Sequence, residues 1–142
     1  MADAESPLPR SPRVKVLIFD RMQAVSRDLR LALPLLGPIE VVASVPSEGE
    51  ACSLAQALRP DVILLSLDRN DQEGFRTARR ITALQLGCGL IGLMANAGPE
   101  ERRNAHLAGV DAVFLMGEPL DVLVEAICHA HPVAQDPKGE TP

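Results

Sequence analysis

The sequence predicts a doubly wound α/β domain, a parallel sheet with helices on both faces. Three observations carry this. Short aliphatic runs alternate five times with segments of helical period. The runs in the middle of the chain are almost continuously apolar, as strands buried on both faces must be. Gly and Pro stand between the two kinds of segment, where chain direction changes.

Each element has its own local reason. Val14–Phe19 (VKVLIF) is a β-type run that ends at Asp20. Ala24–Leu36 carries Val25, Leu29, Leu33 and Leu36 as a helical stripe, and Gly37-Pro38 ends it. Ile39–Val45 is rich in β-branched residues. Ser47 suits a helix N-cap, with Ala51, Leu54, Ala55 and Leu58 on the buried face and Pro60 as the stop. Residues 61–65 (DVILL) read as a strand covered on both faces. Residues 73–86 read as a helix with Phe75, Ala78, Ile81 and Leu84 inward. Gly89–Met94 (GLIGLM) is a further strand. Pro99 fits the first turn of a helix, and Glu100 and Glu101 fit its positive end; that helix stops before Gly109. Ala112–Leu115 is the last strand. Pro119 opens a final helix through Val122, Leu123, Ala126 and Ile127.

Strands alternating with helices imply right-handed crossovers, and five such units fit the flavodoxin-like strand order 2-1-3-4-5. Functional groups in such a sheet collect at the carboxyl ends of the strands. The positions to inspect are 20–22, 66–68, 94–95 and 116–117.

Composition narrows the class. The 142 residues are enough for one domain, placed at 13–131 between a Pro-containing N-terminal tail (1–12) and a flexible tail or linker (132–142). With 2% aromatics, the core is built from Leu, Val, Ile and Ala. A net charge of -5 lacks the basic footprint of a nucleic-acid binder. Arg76, Arg79 and Arg80 form only a short cluster, with Arg79 and Arg80 expected on a solvated helix face. Three dispersed cysteines read as free thiols of a reduced compartment. No apolar run approaches the roughly 20 residues of a membrane helix. The cytoplasm is the expected location.

The chain resembles a response-regulator receiver domain, of the CheY-like kind. VKVLIFD (14–20) resembles the first receiver strand and its acidic end. EACSLAQALRPDVILLSLDRNDQEG (50–74) resembles the second helix, the Pro-Asp before the third strand, and the loop closing on glycine. LIGLMA (90–95) resembles the fourth strand, and AGVDAVFLMGEPLDVLVEAI (108–127) the fifth strand and last helix.

What the resemblance implies is a phosphoacceptor pocket, and here that pocket is degenerate. A receiver needs a carboxylate after strand three, paired acids after strand one to hold Mg²⁺, a hydroxyl after strand four and a lysine after strand five. This chain has Ser66 at the acceptor position, and Asp20 followed by Arg21 at the acidic pair. It has Met94 and Met116 at the hydroxyl and lysine positions. Val113 replaces the aromatic that often reports the switch. Asp68 lies two residues past the acceptor. A serine hydroxyl cannot form an acyl phosphate, and Arg21 brings a cation where a metal would sit. The expected pocket is therefore closed by Arg21, paired with Asp20 or Asp68, and by two thioethers, without Mg²⁺ or another cofactor. Asp20 is expected to cap a loop, and Glu73 to be a solvated loop acid.

The functional expectation is a pseudo-receiver in bacterial two-component or phosphorelay signalling: not an enzyme, and acting through protein–protein contact. The resemblance places a protein partner or homodimer contact on the helix 4–strand 5–helix 5 face, at about 99–131, with Val113, Val122 and Leu123 as candidate contacts. Direct nucleic-acid or membrane binding is not expected. The alternatives are an atypical receiver still phosphorylated on an aspartate, a receiver fragment of a DNA-binding regulator, and a small-molecule sensor using the carboxyl-edge crevice.

Overall fold

The computed structural model describes residues 13–68 and 72–130. The expected tails (1–12 and 132–142), and the domain end at 131, lie outside the described residues. The elements alternate as β1 (Val14–Phe19), α1 (Ala24–Leu36), β2 (Ile39–Val45), α2 (Glu48–Leu58) and β3 (Val62–Ser66). They continue as α3 (Glu73–Leu84), β4 (Gly89–Met94), α4 (Pro99–Leu107), β5 (Ala112–Leu115) and α5 (Leu120–Ala130). All strand pairs are parallel, in the order β2-β1-β3-β4-β5. This is the 2-1-3-4-5 arrangement, with β2 and β5 at the edges.

Because side chains alternate across a strand, the central strands feed two apolar layers. Leu17, Phe19, Ile63 and Leu65 face α2, α3 and α4 and pack with Ala51, Ala55, Phe75, Ala78 and Ile81. Val16, Ile18, Val62, Leu64, Ile91 and Leu93 face α1 and α5 and pack with Leu29, Leu33, Leu123 and Ile127. Each large aliphatic side chain buried this way stabilises by about 1.5–3 kcal/mol before entropy is counted.

The helix ends show where local reading stops. The Ser47 hydroxyl accepts the Glu50 N–H at 3.3 Å, the expected cap. α2 stops at Arg59 and α3 at Gln85, both in the left-handed region at φ 49° and 54°. α3 is therefore two residues shorter than its apolar pattern suggested. Two of the expected inward residues, Leu36 and Leu58, fall in last turns and are 46% and 40% exposed. Among the described residues no helix is long and apolar enough to cross a membrane.

Two glycines are required by close approach. Gly92 on β4 leaves room for Leu67, whose Cδ1 lies 2.5 Å from where a Cβ would be. Gly109, between α4 and β5, has φ +101° and lies against the Thr82 side chain. Gly109→Ala adds left-handed strain and a clash with Thr82, and should cost about 1–3 kcal/mol in urea unfolding.

Candidate functional site

The carboxyl edge is assembled from the ends of β1, β3, β4 and β5. Asp20 follows β1 on the side that faces α1, and it is only 2% exposed. Its Oδ2 accepts the N–H groups of Val25 and Ser26, each at 3.0 Å, and its Oδ1 accepts that of Met22 at 3.2 Å. α1 has no acid in its first turn, and Gln23 at its start offers no side-chain cap. Asp20 thus supplies both the acceptor and the negative charge that the helix start lacks. The expected loop cap is observed. The expected pairing of Asp20 with Arg21 is not, because both carboxylate oxygens point to amides.

Arg21 falls on the opposite side of the strand, towards α3, and its Nε lies 3.3 Å from Glu73 Oε1. Glu73 Oε2 accepts the Glu48 N–H at 3.3 Å, at the start of α2. The Glu48 carboxylate takes Arg76 Nε and Arg80 Nη1, each at 2.8 Å. Hydrogen bonds from Arg80 and then Arg76 hold the Glu48 carboxyl below its ordinary value of 4.5, against the opposing effect of burial. Two expectations are corrected here. Glu73 starts α3 as its helical pattern predicts, but it is not a solvated loop acid, since it pairs with Arg21. Arg80 is not merely solvated, since it anchors α3 to α2. Glu48 was not singled out in the sequence, because its partners lie 28 and 32 residues away.

Between α1 and the ends of β3, β4 and β5 lies a cavity of about 300 Å³. Its polar lining is Ser66, Asp68 and Asn96; Val25, Leu93 and Met116 give it apolar walls. Ser66 pairs in register with Leu93, so both face α1 and α5. Met94, one residue further, turns to the other face, where it is 2% exposed in the α2–α4 layer. The expectation that two methionines line the pocket is therefore half right: Met116, 39% exposed, lines it and Met94 does not. Asn96 was missed, although it lies two residues past the end of β4.

The candidate interaction face is also revised. Val122 is 42% exposed, Val113 is half-buried against the core, and Leu123 is fully buried beneath α5. Leu123 is a core residue and cannot be a contact.

A larger groove of about 510 Å³ opens at the amino edge, beside Cys88, Asp111 and His129. Its groups are already engaged: Asp111 Oδ2 accepts the Leu90 N–H at 2.8 Å, and His129 Nδ1 lies 2.8 Å from the Glu125 carbonyl. Burial pushes the Cys88 thiol up, which keeps it protonated. The chemistry-bearing side chains converge at the carboxyl edge instead.

That edge has one buried carboxylate already accepting three N–H groups, a neutral hydroxyl and a guanidinium in place of a second acid. The edge thus lacks the adjacent acid pair that the resemblance implies for Mg²⁺, its other described carboxylate being the exposed Asp68. Among the described residues no cluster of three or more His, Cys, Asp or Glu could hold a metal.

A doubly wound sheet of this order with its pocket at the carboxyl ends is the fold of response-regulator receiver domains, and the resemblance seen in the sequence holds in three dimensions. The chain is 29% identical over 115 residues to a nitrate/nitrite response regulator protein homolog of Haemophilus influenzae, covering 81% of this chain and 55% of that protein. The chain thus spans about half the length of that relative. It superimposes on the receiver domain of a putative response regulator NarL from Mycobacterium tuberculosis with a TM-score of 0.77 at 22% identity, covering 88% of this chain and 98% of that one. A CheY-like receiver domain protein from Methanospirillum hungatei gives 0.73 at 22% identity, with the same shares covered. A LuxR-family DNA-binding response regulator from Staphylococcus aureus gives 0.74 at 20% identity, covering 83% of this chain and 98% of that chain. No family model matches.

Two measurements check the local chemistry. Asp20→Ala leaves three N–H groups without an acceptor and should cost about 1–2 kcal/mol in chemical denaturation, with Asp20→Asn costing less. For Glu48 the folded carboxyl titrates below its unfolded value of 4.5, so its stabilisation is present above that value and lost as pH falls through the folded one. The stability gap between the native chain and Glu48→Gln should close on acidification below pH 4.5 and stay constant above pH 6.

Proposed function

We propose that this chain is a receiver domain that signals by protein–protein contact without phosphorylation, and that it is not an enzyme. The observation that carries the reading is the acceptor position at the carboxyl end of β3. Ser66 there offers a neutral hydroxyl that cannot form an acyl phosphate. Met116 replaces the lysine that would contact the phosphoryl oxygens, and Arg21 is drawn to Glu73. A phosphorylated alternative would use Asp20 or Asp68; of the two, Asp68 is exposed and lies two residues beyond the acceptor position. The contact face this reading uses is built by α4, β5 and α5, where Val122 (42%) and Met116 (39%) are exposed among charged residues.

Incubation with acetyl phosphate and Mg²⁺, followed by intact-mass measurement, should show no hydroxylamine-labile phosphate adduct. An adduct lost on Asp68→Asn would overturn the reading. For the face, Val122→Asp should abolish partner capture or self-association while the circular dichroism spectrum is unchanged. Leu123→Asp should unfold the domain. A second reading, a domain of a longer DNA-binding regulator, is supported by the partial coverage of the Haemophilus influenzae relative and by the description of the Staphylococcus aureus neighbour. Its test is whether the coding frame continues past residue 142 into a DNA-binding domain.

A further inference from the structure

We propose that the groove between α1 and the edge strand β2 binds a small phosphate-bearing anion. It has a volume of about 300 Å³ and is lined by Gln23, Ser26, Arg27, Arg30, Leu31 and Ser44. It shares no lining residue with the carboxyl-edge cavity. Two of its six lining residues are arginines and none is an acid. Arg27 and Arg30 stand three apart, so both side chains leave neighbouring positions on one flank of α1. Like charges at this spacing repel each other, and cations in the first two turns oppose the positive end of the helix dipole. α1 has no acid in its first turn to offset them. The buried Asp20 serves the helix start, but its oxygens are directed at the amides of Met22, Val25 and Ser26. Arg21, Arg76 and Arg80 each meet a carboxylate. Arg27 makes no hydrogen bond or ion pair to a described residue, and Arg30 meets a neutral group, its Nη1 lying 3.3 Å from the Ser44 Oγ. The groove thus gathers two cations and leaves their charge unanswered by its own walls. Its neutral residues add donors. The Ser44 hydroxyl accepts from Arg30 and keeps its own proton to give, and the Gln23 side-chain amide makes no hydrogen bond to a described residue. The Ser26 hydroxyl is already committed to the Gln23 carbonyl at 3.3 Å. Paired guanidinium forks with a hydroxyl and an amide suit the several oxygens of a phosphate dianion. Leu31, 71% exposed, is the apolar wall on which the body of a phosphate ester would lie.

The test is a titration of the ¹⁵N-labelled full chain with inorganic phosphate and, separately, with phenyl phosphate, at an ionic strength held constant with sodium chloride. Both should give saturable amide shifts at Ser26, Arg27, Arg30 and Ser44. Phenyl phosphate binding more tightly, with the difference removed by Leu31→Gln, identifies a phosphate ester as the ligand class; equal binding identifies free phosphate. Arg27→Gln and Arg30→Gln, both at exposed positions, should each weaken phosphate about tenfold, the loss expected for one charge-assisted hydrogen bond. Phosphate should also raise the urea midpoint of the native chain and leave that of the double variant unchanged. The proposal is overturned if the shifts are non-saturable, lie away from the groove or are reproduced by chloride alone. It is equally overturned if both single variants bind phosphate as the native chain does. The acetyl phosphate measurement reads a covalent adduct and this one reversible binding at another place, so either reading can fail alone.

Discussion

Everything at the carboxyl edge depends on the pleat of a sheet that is covered on both sides. Successive side chains must leave a strand on opposite faces, and neither face is open to water. The last residue of each strand is therefore committed to one apolar layer or the other by its parity. Asp20, Ser66 and Met116 inherit the side facing α1 and α5. Arg21, Leu67 and Met94 inherit the side facing α2, α3 and α4. Ser66 and Met116 of the first group line the cavity with Val25, Leu93 and Asn96, and Leu67 borders it from the strand end between. The second group fastens the edge, with Leu67 in the space that Gly92 leaves and Arg21 on Glu73.

This division explains how the carboxyl edge keeps its shape with Ser66 and Met116 at two of its strand ends. Asp20 meets the need of α1 for an acceptor and a negative charge at its start. Arg21 does not fill the cavity, because parity sends it across the strand to α3. Its partner Glu73 belongs to a chain of polar contacts through the Glu48 N–H to Arg76 and Arg80, which ties the first turn of α2 to α3. Most of these pairs are solvent-exposed on the arginine side and each is worth little alone. Their value is positional, since together they hold the loop ends that border the cavity. Among the described residues, the expected closing cation Arg21 is found on Glu73 and not in the cavity lining.

Much of the fold was legible because its strongest signals are local. Apolar periodicity placed the helices and strands, Ser47 and Pro99 marked two helix starts, and Pro60 marked a stop. The errors have local causes as well. Arg59 and Gln85 end helices in the left-handed conformation without the glycine that usually announces it, so α3 was read as too long. Leu36, Leu58 and Val122 continue apolar stripes into turns or faces that no other element covers. The site was legible only as a set of strand-end positions. Which of them meet was not, because a shift of one residue exchanges faces, and so Met94 was misplaced and Asn96 overlooked. Leu123 was misread for the same reason: neighbours on α5, Val122 and Leu123 differ by whether β4 and β5 lie beneath them.

By itself the sequence determined the alternation of elements, the parallel sheet order, the resemblance to receiver domains and the residue types at each strand end. These follow from hydrophobic period, turn chemistry and spacing, which are properties of contiguous residues. The tertiary structure alone decided that Asp20 serves the start of α1, that Arg21 answers to Glu73, and that Met116 but not Met94 faces Ser66. Those outcomes depend on parity at strand ends and on charges brought together from distant segments. No window of the sequence contains the distances that choose between them.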